Sequence, residues 1–230
     1  MIPKVIHYCW FGRNKKTSIM KRCIQSWKKV LPDYEIRKWT EDNFDVNQCE
    51  YSKYCYENGL WAYLSDYARV KVVYEHGGIY LDTDVEVLKK LDKFLEYEGF
   101  FGTEDEYVAT GLGFGAVKGH ELVKRLVNQY EVQTEQDIMK LGLINCPKLN
   151  TVVFKEFGFD IEDLEPNETK VVQGVILLGN EYLNPFDDKT GLVKVTDRSY
   201  TIHWYSKTWM KPRKKLRNRV SRIYHRIIWG

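Results

Sequence analysis

The sequence predicts an α/β fold, a parallel-type sheet with helices on its faces. Two stretches carry that expectation. The first is a strand–helix–strand opening over residues 4–39; the second is a long apolar helix that runs through a double glycine into a short apolar strand ending in acids. A length of 230 residues suits one domain with a short appendage, and 43% hydrophobic residues fill one core and exclude a disordered chain.

Lys4 to Trp10 (KVIHYCW) reads as a buried first strand, ended by Phe11-Gly12 and a polar turn. Thr17 is placed to cap a helix running to about Val30, with Ile19, Cys23, Ile24 and Trp27 on its inner face. Leu31-Pro32-Asp33 breaks that helix, and Tyr34 to Trp39 alternates as a second strand. Residues 41–58 are polar and aromatic and read as short helices. Leu60 to Glu75 is a strong helix stopped by His76-Gly77-Gly78, because glycine accepts the left-handed backbone of a helix end. Ile79 to Asp82 reads as a short central strand. Phe100 to Gly102, Leu112 to Val117, Val171 to Leu178 and Tyr200 to Trp204 read as further strands, and Gly119 to Tyr130 and Thr151 to Phe157 as helices.

The charge is divided along the chain. Residues 211–230 hold eight cations and no acid, leaving 27 cations against 32 acids in residues 1–210. An acidic body does not grip nucleic acid, so no nucleic-acid partner is expected. In the tail Leu216, Val220, Ile223 and Ile227 recur at helical spacing among the cations, with Trp229 near the end. That pattern describes an amphipathic helix lying on an anionic membrane surface. The expected division is thus a main domain over 1–210 and a basic tail over 211–230. Five cysteines without a C-x-x-C pair point away from a disulfide framework and a structural zinc site, and toward a reducing compartment. The N-terminal apolar run is too short and too charged for a signal peptide, so a cytoplasmic protein, peripheral on the inner face of a membrane, is expected.

The most informative residues are Asp82-Thr83-Asp84, directly after Ile79-Tyr80-Leu81. Two carboxylates at the carboxyl end of a buried strand stand where open α/β sheets bind ligands. They repel each other unless a cation offsets them, and hard oxygens suit manganese or magnesium, which also bridge phosphates. Upstream, Asp66 and Arg69 stand three apart on one helix face, beside Ser65. They form either a surface ion pair or a polar pair aimed at a sugar. Near the end, His203-Trp204-Tyr205-Ser206 leads to Trp209. A neutral His203 can complete a metal site begun by two carboxylates, and Ser206 and Trp209 can donate to phosphate oxygen.

Together these segments resemble glycosyltransferase family 32 and, more distantly, the glucosyltransferase domains of large clostridial toxins. The matching stretches are Ile2 to Gly12, Ser65 to Arg69, Gly77 to Asp84 and His203 to Trp209. The chain differs in carrying Cys146-Pro147 where members often have Gly-Pro, and in Gly111 to Ala116 on the expected acceptor side. The resemblance implies a GT-A type fold, with a Rossmann-like mixed sheet flanked by helices. It implies a retaining, metal-dependent hexosyl or N-acetylhexosaminyl transfer from a UDP-sugar to a polysaccharide or lipid-linked glycan. By the same resemblance His7, Tyr8, Trp10, Ser65 and Thr83 contact the donor, and Asp66 and Arg69 face its sugar. Asp82, Asp84 and His203 hold Mn2+ or Mg2+, and Ser206 and Trp209 close over the diphosphate. Asp84, Asp82, Asp66 and Arg69 form the catalytic group. A nucleotide-sugar hydrolase is the alternative reading, and a non-catalytic nucleic-acid module a more distant one.

Overall fold

The computed structural model describes residues 1–162 and 164–206. Trp209 and the basic tail over 211–230 lie outside the described residues. Ten strands and seven helices follow in chain order: β1 (Val5–Cys9), α1 (Ser18–Val30), β2 (Glu35–Trp39), α2 (Glu50–Glu57), α3 (Trp61–His76), β3 (Gly78–Tyr80), β4 (Val85–Val87), β5 (Gly99–Glu104), β6 (Tyr107–Val108), β7 (Phe114–Ala116), α4 (Glu121–Glu131), α5 (Glu135–Leu141), α6 (Cys146–Glu156), β8 (Thr169–Val172), β9 (Val175–Leu178), α7 (Asn180–Leu183) and β10 (Thr201–His203).

The main sheet runs β2-β1-β3-β7-β5-β9-β8, with β6 on β5; β4 and β10 form a separate antiparallel pair. The expected β-α-β opening forms, with β1 parallel to both β2 and β3. The sheet is mixed, because β7 runs antiparallel between β3 and β5. Chain length explains this. Only nine residues separate Glu104 from Phe114, too few for the crossover helix that a parallel return needs.

Buried side chains form two cores, one on each face of the sheet. Leu64, Tyr67 and Val73 of α3 pack with Leu122, Leu126 and Tyr130 of α4 and Phe154 of α6 on one face. Trp27 of α1, Val85 and Val87 of β4, and Phe94 pack on the other. Helix α3 buries seven of its residues, including Arg69, and so lies inside the molecule rather than on its surface.

The double glycine does two things. Gly77 ends α3 with φ of 68°. Gly78 has φ of 108°, and a Cβ there would stand 2.7 Å from the Val5 carbonyl and 3.0 Å from His7 Nε2. A side chain would therefore push β3 away from β1. Two expected elements differ in detail. Residues 171–178 are not one strand but the hairpin β8–β9, turned at Gln173 and Gly174 with φ of 48° and 78°, the left-handed pair that a tight two-residue turn requires. Helix α6 begins at Cys146 rather than Thr151, because Asn145 caps it by accepting from the Lys148 amide at 3.2 Å and Pro147 suits its first turn.

Candidate functional site

A cleft of about 790 Å³ opens at the carboxyl ends of β1 and β3. Its walls come from the 10–17 loop, the first half of α3, the 109–112 turn, residues 143–147 and the exit from β10. Asp82, Thr83 and Asp84 enter it directly after β3.

The short pair β4–β10 joins the distant parts. His203 stands opposite Val85 in the ladder, and the Trp204 amide donates to the Asp84 carbonyl at 3.0 Å. Asp84 is 8% exposed; its Oδ2 accepts from the Ser206 amide at 2.7 Å, and its Oδ1 lies 3.3 Å from His203 Nε2. Burial works to raise the Asp84 carboxyl. The His203 charge and the hydrogen bonds from His203 and Ser206 outweigh it and hold the group well below the usual carboxylate range. In return, burial lowers the His203 imidazole, but Asp84 raises it by more.

On the other side, Arg69 is 7% exposed and bridges two acids, with Nη2 at 2.9 Å from Asp66 Oδ1 and 3.3 Å from Asp82 Oδ1. The Tyr80 hydroxyl donates to Asp82 Oδ1 at 2.9 Å, and the Arg69 guanidinium lies 5.2 Å from the Tyr80 ring centre. Burial pushes the Asp66 carboxyl up to about 6; Arg69 pulls it down and Asp82 adds to the rise. The i,i+3 pair on α3 is therefore a buried part of the cleft and not a solvated surface ion pair. Each acid of the D-x-D motif has its own nitrogen-bearing neighbour, Arg69 beside Asp82 and His203 beside Asp84.

Asp82, Asp84 and His203 each offer a ligand atom, and these atoms lie within 4.8 Å of one another. His203 Nδ1 is buried and has no hydrogen-bond partner among the described residues. Two carboxylate oxygens and one imidazole nitrogen fit a divalent ion such as Mn2+ or Mg2+, the imidazole favouring manganese.

The other expected site residues divide. Trp10, Ser65, Asp66, Arg69, Thr83 and Ser206 all line the cleft. Trp10 donates from its indole to the Asn14 carbonyl at 2.7 Å, with Lys16 Nζ 5.0 Å from its ring. Ser65 donates to the Trp61 carbonyl at 2.9 Å, which leaves its oxygen able to accept. His7 and Tyr8 do not line the cleft. His7 is 0% exposed and spends both ring nitrogens inside the protein, Nε2 on the Gly77 carbonyl at 2.8 Å and Nδ1 as acceptor of the Trp39 indole at 3.1 Å. Tyr8 packs edge-on against Trp27 in the core.

Sequence reasoning missed Trp61, Thr110, Gly111, Asn145 and Glu104, which also line the cleft. Gly111 carried a readable signal, because a small residue after a strand often marks a close approach. A Cβ there would meet Asp82 Oδ2 at 2.9 Å and Arg69 Nη1 at 3.2 Å.

Residues 18–101 match the family described as glycosyltransferase sugar-binding region containing DXD motif. Over 133 residues the chain is 28% identical to inositol phosphoceramide mannosyltransferase 3 of Schizosaccharomyces pombe, covering 55% of this chain and 36% of that protein. Over 163 residues it is 28% identical to lactosylceramide 4-alpha-galactosyltransferase of Homo sapiens, covering 66% of this chain and 44% of that protein. The chain thus spans less than half the length of these relatives. Among solved structures, the PaToxG glycosyltransferase superposes with a TM-score of 0.52 at 19% identity, over 67% of this chain and 68% of that one. The fold is accordingly a mixed α/β sheet of the GT-A type. Residues 18–101 are thus similar to a region that the matched family's description calls sugar-binding and DXD-containing, and Asp82-Thr83-Asp84 is the D-x-D sequence within them.

Proposed function

We propose that the chain is a metal-dependent, retaining glycosyltransferase of family 32. It moves a hexose or N-acetylhexosamine from a UDP-sugar to a polysaccharide or lipid-linked glycan, as in capsule, lipopolysaccharide or exopolysaccharide assembly. One observation carries this reading: Asp82, Asp84 and His203 converge to within 4.8 Å at the carboxyl end of β3, inside the cleft. The relatives' names support a glycan or lipid acceptor, since both refer to ceramide lipids.

Cleaving a sugar–phosphate bond builds negative charge on the leaving diphosphate. Asp82, Asp84 and His203 would hold a divalent cation, which when bound would supply Lewis-acid stabilisation of that charge. The chain's own groups do the rest. Asp66 accepts from donor-sugar hydroxyls, and Arg69 fixes Asp66 and Asp82 in position. The Ser206 hydroxyl, and Trp209 beyond the described residues, donate to the diphosphate, while the Trp10 indole stacks on the base. Deprotonation of the acceptor hydroxyl falls to the leaving phosphate on the same sugar face.

The test is a thermal-shift screen of nucleotide sugars with and without manganese. A donor raises the melting temperature by linkage, and the rise disappears with chelator. No metal-dependent shift with any UDP-sugar counts against the reading. Among the described residues no helix is long and apolar enough to cross a membrane. The same reading assigns peripheral attachment, on the inner face of an anionic membrane, to residues 211–230. Liposome flotation checks that assignment; equal flotation with and without those residues rejects it.

A further inference from the structure

A second cavity of about 510 Å³ adjoins the donor cleft, and Glu104 and Tyr205 belong to the walls of both. Its remaining walls come chiefly from α7 and the turn that follows it, residues 180–189. Three observations point to a ligand there.

Asn184 lines the cavity and is 8% exposed. Its Nδ2 donates to the Tyr205 hydroxyl at 2.7 Å, while its Oδ1 is buried with no hydrogen-bond partner. A buried acceptor left unmade is costly, and a ligand hydroxyl can satisfy it. Tyr205 has a backbone φ of 43°, a conformation that costs a non-glycine residue free energy and is concentrated at ligand sites. Its ring is held 4.1 Å from His203 and 6.0 Å from Phe186 between ring centres, so the wall between the cavities stands directly beside the Asp82–Asp84–His203 group.

The third observation is charge. Glu104, Asp105, Glu181, Asp187 and Asp188 line the cavity against two lysines; Asp105 engages Lys189 at 3.0 Å and Glu181 engages Arg198 at 3.0 Å, which leaves three acids against Lys194. Carboxylates and amides accept from hydroxyls, and aromatic rings such as Phe186 pack on the C–H face of a pyranose. A negative wall repels an anionic ligand.

We propose that this second cavity binds the acceptor, and that the acceptor is a neutral, hydroxyl-rich glycan without carboxylate or phosphate at its reacting end. The assignment rests on the glycosyltransferase reading and narrows it. The acceptor crosses the Glu104–Tyr205 wall, with its terminal sugar toward the donor cleft.

The experiment is a glycan array carrying neutral, sialylated, uronate-bearing and phosphorylated oligosaccharides, probed with the full chain loaded with UDP and manganese. The unaltered protein labels neutral glycans. Phe186→Ala and Asp188→Lys lower that signal at least about tenfold, and Asp188→Lys shifts the remainder toward acidic glycans. An array with no neutral glycan bound, a preference for acidic glycans, or neutral binding untouched by both variants overturns the proposal. The UDP–manganese thermal shift is read in the same samples. Its absence in the unaltered protein sinks the donor reading itself, whereas its presence beside a failed array sinks only the acceptor cavity.

Discussion

Replacing Asp84 by Asn keeps shape and removes charge at the point where the two halves of the site meet. In the native structure Asp84 accepts from the Ser206 amide and faces the His203 imidazole. The variant loses two charge-assisted contacts, each ordinarily stabilising by about 1.5–3 kcal/mol. The Asn oxygen still accepts from the Ser206 amide, more weakly, which replaces part of one. The net cost to folding is therefore one such contact, about 1.5–3 kcal/mol. Turnover falls much further, by roughly a hundredfold or more, because an electrostatic group aimed at developing charge is removed. The assay pairs urea unfolding with sugar transfer at saturating manganese. The reasoning fails if Asp84→Asn folds normally and keeps near-normal turnover, or if native turnover is unchanged by chelator.

Gly111→Ala places a methyl 2.9 Å from Asp82 Oδ2; displacing that carboxylate is expected to lower turnover about tenfold to a hundredfold with circular dichroism intact, and unchanged turnover rejects the close approach as functional. Trp27→Phe removes the indole that donates to the Val85 carbonyl at 2.7 Å, which is expected to cost about 2–4 kcal/mol in urea unfolding and to weaken the manganese-dependent thermal shift, since Val85 follows Asp84. His7 supplies a pH dependence. Burial lowers its imidazole from 6.5 to about 4, against the opposing pull of the Gly77 carbonyl, with His76 and Arg37 adding to the fall. Between those values the unfolded chain binds the proton and the folded chain does not, so the contribution is present above pH 6.5 and is lost as pH falls toward 4, by about 3 kcal/mol. His7→Gln should flatten that part of the stability profile, and parallel profiles for the two proteins would refute it.

The first third of the fold was legible because periodicity and stop signals agreed there. Residues 4–39 alternate strand, helix and strand with a proline break between them, and β1, α1 and β2 form as read. The helix over 60–75 ends at its double glycine because β3 must pass close to Val5 and His7. Strand direction was not legible. Whether β7 returns parallel or antiparallel depends on how much chain lies between it and β5, and the two-residue strand β6 and the turn at 110–112 have no periodic pattern to count. The hairpin at Gln173-Gly174 was hidden for a related reason: β9 is a continuous apolar run, and the run masked the turn before it.

Within the site, residue types were readable and their partners were not. An acidic pair after an apolar strand suggested a cation between the two acids. The structure flanks each acid separately as well, Asp82 with Arg69 and Asp84 with His203, 13 and 119 positions away in the chain. The second partnership depends on β4 and β10, three residues each, too short to register in any alternation. Their pairing stands because α1 supports it. The Trp27 indole donates to the Val85 carbonyl, and Ser26 Oγ accepts from the Val87 amide at 2.9 Å. The site thus depends on a helix face read from sequence only as core. His7 failed in the opposite direction: a histidine beside an aromatic in a family-like stretch suggested a ligand contact, but the Gly77 carbonyl and the Trp39 indole satisfy both its nitrogens. Only the neutral tautomer protonated on Nε2 fits that pair, because a proton on Nδ1 would face the Trp39 N–H. A group held neutral by its neighbours in that way aligns strands β1, β2 and β3, and through β3 it sets where Asp82 emerges.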